Sequence, residues 1–285
     1  MNADQPALKR LNCPNCGNDL NPHLPQSQTV VCDKCGTFVA IGGENTENQG
    51  RGMPVKPTVP IELGMELNMK DTKYMVLGHV RYRGWSTYDP SDSWQWDEWM
   101  VGAPDGRLLW LAHDEKGFGL FKKERIRQPF DVKTMTTIPI KDKQVRVHER
   151  YPAEIMGANG ELTWRAKPRE ELFVVEGAGH GKRYSIQASN DELELYSGSA
   201  VKEMDIARAF DDESWVGKIN ERRENNDLMI SGGWIAIGFA VLAIIWSFVL
   251  PNNNASPTCL LCYTFIIGLG GIGSIITGNA RKALM

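Results

Sequence analysis

The sequence predicts a mainly β fold, α+β overall, with a small cysteine-rich module before an antiparallel β domain and a pair of helices after it. Three observations lead to this prediction: paired Cys-x-x-Cys motifs near the N terminus, short β-forming runs separated by turn signals, and two long uncharged segments near the C terminus. The chain has 285 residues, enough for a small metal module, one substantial domain and both apolar segments.

Two matching Cys-x-x-Cys-Gly knuckles, Cys13–Gly17 and Cys32–Gly36, define the N-terminal module, which we place at residues 1–40. In each knuckle two thiolates can turn onto one metal, and the following glycine relieves a tight turn that often needs a positive φ. Four such thiolates predict a zinc ribbon, with iron as the main chemical alternative. A closed four-thiolate shell leaves no position for water, so we expect the Zn²⁺ to be structural. Its ligands are Cys13, Cys16, Cys32 and Cys35.

Residues 41–60 are rich in Gly, Asn, Glu and Pro and predict a flexible linker, because they contain little that a core could bury. From residue 61 to residue 210, strong β-formers alternate with turn signals such as Asp105-Gly106 and Asn159-Gly160. A short helix is predicted at 201–210. Region 61–210 is therefore predicted to be an antiparallel β-meander or half-barrel domain made of two small curled sheets.

Aromatic and acidic side chains in this β region are the candidates for a partner surface. Strand alternation predicts Trp94 and Trp96 on one face and Trp99 on the other. Such aromatics form a barrel core, a protein or peptide groove, or a nucleic-acid or small-ligand site. An acidic set alternates along a later strand, which predicts a solvent face or a surface for a basic partner. The candidate surface is Trp94, Trp96, Trp99, Glu192, Glu194 and Tyr196.

The sequence favours a protein that is not an enzyme. Glu98, His113, Asp114 and Glu115 are candidates for an acid–base group or a metal site, yet no set of nucleophile, base and oxyanion donors can be assembled around them. Two phosphate-binding patterns also fail. Gly177–Lys182 is one residue shorter than a P-loop, and Gly268–Gly273 lies inside the second apolar segment without the strand and acid of a dinucleotide site.

The C-terminal segments Leu228–Leu250 and Thr258–Ala280 carry no charged residue and are joined by the short link PNNNASP. Since roughly 20 residues cross a bilayer core as a helix, we expect a two-helix transmembrane hairpin at 228–280, preceded by a juxtamembrane connector at 211–227. A buried pair of core helices is the alternative. Arg222, Arg223, Arg281 and Lys282 flank the hairpin, and the link has no Lys or Arg, so both termini and the body are predicted to be cytoplasmic.

Small residues recur every four positions in both segments. This spacing lets membrane helices approach closely, so the two stripes are expected to face each other or another copy of the chain, as in a homo-oligomer. The residues are Gly232, Ala236, Ala240, Gly270, Ser274 and Gly278. A third Cys-x-x-Cys pair, Cys259 and Cys262, has wholly apolar flanks and is interpreted as buried thiols rather than as a redox pair.

Several stretches of the β region are similar to a known family. They read YMVLGHVRY from Tyr74, WDEWMV from Trp96, GRLLWLAHDEKGF from Gly106, NGELTW from Asn159 and DELELYSGSAVKEMDIARAF from Asp191. Over about residues 61–210 they resemble the bacterial family described as domain of unknown function 4178. The resemblance implies no established activity. Members of this family are often encoded beside membrane proteins and envelope-stress components, so the resemblance implies an accessory role at the membrane.

We therefore expect a non-enzymatic adaptor or sensor that is anchored in the bacterial inner membrane and contacts an unidentified protein partner. A tethered nucleic-acid-binding protein is one alternative, and an enzyme that uses a cleft of the β domain is another. Nucleic acid is disfavoured because the net charge is -3, the pI is about 6.0, and Lys34 is the one cation between Cys13 and Cys35.

Overall fold

The computed structural model describes residues 11–42, 45–126, 131–140, 143–189, 192–249, 269 and 272–277. The chain divides into two compact units, Met1–Val201 and Lys202–Met285. The first unit is mainly β, as predicted, and its strand pairings are antiparallel.

The N-terminal strands form a ribbon around the cysteine knuckles. β1 pairs with β2, and β3, β4 and β5 form an antiparallel sheet. Gly17 and Gly36, with φ of 73° and 72°, end the two knuckles, and each donates its amide to the first cysteine of its knuckle. The positive φ predicted there is confirmed. The strands are β1 (Leu11–Asn12), β2 (Asp19–Leu20), β3 (Thr29–Val31), β4 (Thr37–Gly42) and β5 (Asn45–Arg51).

The β domain is a closed barrel of 8 strands. The strands of the domain are β6 (Glu66–Met69), β7 (Thr72–Trp85), β8 (Ser93–Gly102), β9 (Leu108–Asp114), β10 (Gly117–Glu124), β11 (Thr137–Ile140), β12 (Lys143–Leu162), β13 (Glu171–Gly179), β14 (Lys182–Ala188) and β15 (Leu193–Val201). The two short strands β6 and β11 lie outside the 8 strands of the barrel. Two meanders, β7–β10 and β12–β15, join through the β10–β15 and β7–β12 pairings. β6 pairs antiparallel with the first residues of β7, and β11 pairs antiparallel with the first residues of β12. The predicted half-barrels are thus the two halves of one barrel.

The 20-residue strand β12 closes the barrel. Its first part pairs with β13 and its last part with β7 and then with ribbon strand β3. Asn159-Gly160 was predicted to be a turn between two strands, and this is wrong, because Gly160 lies within β12 opposite Gly78. A Cβ on Gly160, whose φ is 74°, would lie 2.2 Å from the carbonyl oxygen of Leu77. The glycine therefore lets β12 and β7 approach each other closely and does not form a hairpin turn.

The ribbon and the barrel share one sheet, because β3 pairs with β12. Glu161 of β12 reinforces this junction. Its buried carboxylate accepts the backbone amides of His23 and Leu24 at 2.9 Å and 3.1 Å and the hydroxyl of Ser27 at 2.5 Å. These bonds satisfy the amides of the loop between the knuckles, so the ribbon is attached to the barrel wall.

The prediction of a flexible linker at 41–60 is wrong. Residues 45–51 form β5, and the segment after it bonds to the outside of the barrel. Asn159 Nδ2 donates to the carbonyl oxygen of Val55 at 3.1 Å, and Thr58 Oγ1 donates to Asp97 at 2.7 Å. The composition of this segment predicted flexibility, but polar groups on the barrel wall provide hydrogen-bond partners that hold it in place.

The second unit contains α1 (Glu203–Ala209) and α2 (Glu213–Val249). Glu203 joins the two helices, because it accepts Trp215 Nε1 at 2.8 Å and Arg222 Nη2 at 2.7 Å. The short helix predicted at 201–210 corresponds to α1. The predicted connector and the first predicted apolar helix together form the continuous helix α2.

Within the described part of the chain, none of the helices combines the length and the apolarity that a membrane crossing requires. The second predicted span, 258–280, lies outside the described residues except for positions 269 and 272–277. In α2, Ala240 is buried and Gly232 is exposed. Gly270 and Gly278 lie outside the described residues, as do Cys259 and Cys262, so the packing of the small-residue stripes stays a prediction.

Candidate functional site

A cavity opens into the barrel interior, and its empty space, counted together with the part that is open to solvent, is about 680 Å³. Its walls come from side chains that alternate along the barrel strands and point inward. On β8 these are Trp94, Trp96 and Glu98, while Asp97 and Trp99 point to the outer face. The predicted separation of these two sets is confirmed. The aromatic wall consists of Trp94, Trp96, Trp110, Phe121, Tyr151 and Tyr196.

Ring contacts between neighbouring strands hold the aromatic wall in place. Trp94 packs edge-on against Tyr151 with centroids 4.8 Å apart, and Trp110 packs similarly against Tyr196 at 5.1 Å. Trp96 stacks on buried Tyr82 at 5.0 Å. Such pairs restrict the rotamers of both rings, so the shape of this wall is largely pre-formed.

Glu98 is the central polar group of the cavity. Its Oε1 accepts Trp96 Nε1 at 2.8 Å and Gln187 Nε2 at 3.0 Å. Burial raises the pKa of Glu98 to about 7, and the nearby carboxylate of Glu194 acts in the same direction, while the two hydrogen bonds lower it. Glu98 therefore exchanges a proton near neutral pH.

Two further carboxylates occupy the barrel interior. Glu176 accepts the hydroxyl of Tyr151 at 3.1 Å, and burial raises its pKa, which the charge of Arg183 opposes. Glu194 is paired with Lys123 and accepts the hydroxyl of Tyr196 at 2.5 Å. The interior is therefore both acidic and aromatic, an uncommon environment for a barrel that only needs a core.

The Glu98→Gln variant is expected to be more stable than the wild type at pH 8. Because the pKa of Glu98 rises from its ordinary value near 4.5 to about 7 on folding, the folded state binds more protons than the unfolded state between these pH values. Wild-type stability therefore falls as pH rises through this window, by up to about 3 kcal/mol. The side-chain amide oxygen of the variant accepts the same two hydrogen bonds without that cost. Urea unfolding at pH 4.5 and pH 8 measures the difference.

Glu115→Gln is the matched control for this prediction, because Glu115 is exposed at the β9–β10 turn. We expect no pH-dependent gain from it. A Glu98→Gln protein that is equally or less stable than the wild type at pH 8 would contradict the assignment of Glu98 as a buried acid.

The structure corrects the predicted partner surface. Trp96, Glu194 and Tyr196 are buried and face the barrel interior, while Trp99 is fully buried on the outer side of β8 against His79. Trp94 and Glu192 are half-buried, Trp94 at the cavity mouth and Glu192 beside a smaller pocket at another part of the barrel. The alternation was read correctly, but barrel closure makes the polar face the inner one.

Several cavity residues were not identified from the sequence. They are Arg183, Ser185 and Gln187 on β14, with Glu176 on β13 and Tyr151 on β12. Polar side chains at every second position of β14, repeated on β15, were the available signal, because a polar barrel interior gives the same alternation as a solvent face.

Three of the four residues considered for acid–base chemistry line one cavity, and the fourth, Glu115, is exposed outside it. Glu98 is inside, and His113 and Asp114 line the mouth at the end of β9. His113 Nδ1 lies 3.3 Å from Thr58 Oγ1, and its ring packs on Phe118 with centroids 4.3 Å apart. In the register of β8 and β9, His113 lies opposite Asp97, whose side chain points to the outer face, so proton transfer inside the cavity would depend on Glu98.

On the outer face of the barrel, Asp97 anchors a buried ionic cluster. Its carboxylate accepts His79 Nε2 at 2.7 Å, Arg81 Nη2 at 2.7 Å and Thr58 Oγ1 at 2.7 Å. Burial alone would raise the pKa of Asp97, but these donors together hold it well below its ordinary value. The cluster joins β7, β8 and the segment before β6, so it is a structural crosslink outside the cavity.

The four ribbon cysteines form a cluster that could hold a metal ion. Their Sγ atoms all lie within 4.8 Å of one another, with Cys13 to Cys35 at 3.7 Å and Cys16 to Cys32 at 3.6 Å. A disulfide requires an S–S distance near ~2.05 Å. A tetrahedral metal with bonds of ~2.3 Å to sulfur places sulfurs roughly 3.8 Å apart. The geometry therefore fits a four-thiolate metal site.

Comparison with known proteins identifies the barrel. Residues 62–203 match the family model described as Domain of unknown function (DUF4178). This segment is a DUF4178 domain. The matched range contains β6 to β15, so it coincides with the barrel and leaves out the cysteine ribbon and α2. The resemblance seen over about residues 61–210 is thereby confirmed for the domain. No curated protein and no solved structure significantly matches the chain.

Proposed function

We propose that this protein is a non-enzymatic sensor or adaptor, in which the DUF4178 barrel binds a small molecule and the ribbon contacts a protein partner. The observation behind this proposal is the lining of the barrel cavity. It combines aromatic faces with a few hydrogen-bonded polar groups, which is the composition typical of small-molecule sites. Because ring contacts between strands hold the aromatic wall in place, the cavity is suited to recognising one ligand.

The ribbon is the proposed output surface, with Zn²⁺ as its structural ion. Four thiolates with suitable spacing support zinc, and a complete sulfur shell supports a structural role. β12 contributes to the cavity wall through Tyr151 and pairs with ribbon strand β3 through Gly160 and its neighbours. A ligand that shifts β12 would therefore move an element that the ribbon also uses.

We further propose that the C-terminal segments, 228–250 and 258–280, anchor the protein in the bacterial inner membrane with both termini cytoplasmic. Their uncharged sequences and the basic flanks support this. Large apolar side chains exposed on α2, such as Trp234, Ile235 and Phe239, support contact with an apolar surface. Carbonate extraction of cell membranes tests the anchor: the full chain is expected in the pellet, and its release into the supernatant would refute integral insertion.

Native mass spectrometry after incubation with a bacterial metabolite extract tests the sensor proposal. Ser185→Phe places a ring inside the cavity, and Ser199→Phe, on the exposed side of β15, is its matched control. We expect a small-molecule adduct on the wild type and the control, and none on Ser185→Phe. If no adduct forms on any of the three proteins, the proposal is wrong.

Detergent pull-down locates the partner contact. The intact protein is compared with a variant in which all four ribbon cysteines are serine. A protein partner that is lost with the cysteines supports the ribbon as the contact, and one that persists assigns the contact to the barrel. Nucleic acid in the eluate without a protein partner would instead support the nucleic-acid-binding alternative.

An enzyme is the second candidate, favoured by the presence of Glu98, His113 and Asp114 on one cavity. A carboxyl group with a pKa of about 7 is suited to general acid–base catalysis at neutral pH. If the extract contains a substrate, its adduct should be converted with time by the wild type and not by Glu98→Gln. An adduct whose mass stays constant with both proteins supports the sensor.

A further inference from the structure

We infer that the ligand of the barrel cavity is a small organic ammonium ion that also carries a hydrogen-bond acceptor, held by aromatic faces and by Glu98 and Glu176. This inference rests on the proposed function, because it specifies the chemistry of the same cavity. Three independent features of the lining support it: the aromatic rings, the balance of charges and one unsatisfied indole.

The first feature is the aromatic wall. Three tryptophans, Trp94, Trp96 and Trp110, line one cavity together with the rings of Phe121, Tyr151 and Tyr196. Aromatic faces attract a cation through their quadrupole, tryptophan most strongly, and the attraction grows when the cation is desolvated. An apolar neutral ligand would also contact these rings, so the charges decide between the two.

The second feature is the charge balance. Among the lining residues that the structure describes, Glu98, Asp114 and Glu176 are carboxylic acids, while Arg183 and His113 are the basic groups. The carboxylic acids therefore outnumber the basic groups. Away from bulk water, such an excess favours a ligand of the opposite sign.

The hydrogen bonds of Glu98 strengthen this point. Trp96 and Gln187 both donate hydrogen bonds to its Oε1. Among the described residues, the contact given for Oε2 is a longer one, from Gln187 at 3.3 Å, so this oxygen has lone pairs that a further donor can use. A carboxylate held by donors can accept one more donor, which a primary ammonium group supplies, whereas a quaternary ammonium group offers its charge alone.

The third feature is Trp110. It is 5% exposed, it lines the cavity, and its Nε1 has no hydrogen-bond partner among the described residues. A buried indole N–H usually has a partner, and leaving one without costs stability. The nitrogen itself has almost no exposed surface, so a ligand oxygen near the ammonium group would accept this bond after a small shift of the ring. An amino alcohol or an aminophenol has both groups.

Calorimetry with two matched pairs of probes tests the inference on the full chain in detergent. The cations are choline and tyramine, and their neutral counterparts of similar shape are 3,3-dimethylbutan-1-ol and 4-propylphenol. We expect each cation to bind at least tenfold more tightly than its counterpart. The Glu98→Gln/Glu176→Gln double variant should lose at least tenfold in cation affinity and less than threefold in affinity for the neutral probes. Both substitutions keep the hydrogen bonds from Gln187 and Tyr151, and circular dichroism checks the fold.

The pH dependence provides a second readout. Because burial raises the pKa of Glu98 to about 7, a cation must displace its proton at lower pH, so tyramine affinity should fall up to tenfold per pH unit below 7. Glu98→Gln should reduce this slope. The other titratable or charged groups around Glu98 are Tyr82, His113, Asp114, Lys123, Tyr151, Glu176, Arg183, Glu194 and Tyr196.

The outcomes separate the inference from the function on which it rests. Equal affinities within each pair, or failure of both cations to bind below 10 mM, overturns the ammonium ligand. A neutral adduct from the metabolite extract that Ser185→Phe blocks would keep the sensor and overturn the ammonium ligand. Absence of any adduct and of any probe binding overturns both.

Discussion

Replacing Cys32 and Cys35 together by serine is expected to abolish metal binding and to unfold the ribbon. The apolar core of the ribbon is small, with Leu11, Leu20 and Val39 packed around the cysteines themselves. Structural zinc in modules of this type contributes about 10–16 kcal/mol of apparent binding free energy, so the metal supplies most of the stability. Elemental analysis should find one zinc per wild-type chain and none in the variant, and hydrogen exchange should speed up in β1 to β4.

The third cysteine pair offers a matched control. Serine at both Cys259 and Cys262 removes the same number of thiols outside the ribbon, and it is expected to leave the zinc content unchanged. Iron in place of zinc in the wild type would correct the identity of the metal but not the site. Equal metal content in the wild type and the Cys32/Cys35 variant would refute the site.

Asp97→Asn is expected to destabilise the barrel by about 3–5 kcal/mol, which is the cost of removing one partner of a buried ion pair. Asp97 and His79 are 1% and 2% exposed, and Arg81 is 16% exposed, so water does not replace the lost carboxylate. The neutral amide leaves the guanidinium of Arg81 without its anion and offers one fewer acceptor to His79 and Thr58. Urea unfolding at pH 7 measures the loss.

The pH dependence of this loss has a defined sign. The donors around Asp97 hold its folded-state pKa below the ordinary value of 3.8, so the stabilisation is present above that pH and declines as the pH falls further. The gap between wild type and Asp97→Asn should therefore narrow below pH ~4. Asp105→Asn is the control, because the Asp105–Arg107 pair is exposed, and we expect no measurable change. Similar losses for both variants would contradict the buried crosslink.

The cluster of four cysteines was predictable from the sequence because its geometry is local. Each knuckle places two thiolates and one left-handed glycine within five residues, and the two knuckles need only approach each other. The antiparallel β character of the DUF4178 domain was predictable for a similar reason, since Asp105-Gly106 and the alternating runs specify neighbouring strands. Trp94, Trp96 and Trp99 were assigned to the correct faces of β8 by period alone.

The closure of the barrel was not predictable in this way. It depends on the pairing of β7 with β12 and of β10 with β15, between strands that are far apart in the chain. Gly160 illustrates the difficulty, because Asn-Gly is typical of a turn and yet here permits a close approach to Gly78. The predicted linker at 41–60 was similarly misjudged, because its composition does not report the hydrogen-bond partners that the barrel wall provides.

The candidate site depends on that closure. Alternation established that Glu194 and Tyr196 share one face of β15, and it also placed Trp94 and Trp96 together on β8. Whether such a face meets water or the inside of a barrel is a property of the whole sheet, and only the tertiary structure decided it. Local spacing thus determined the cysteine ligands and the strand faces. The long-range pairings decided that the acidic and aromatic faces enclose one cavity, because a strand carries its periodicity but not the identity of its partners.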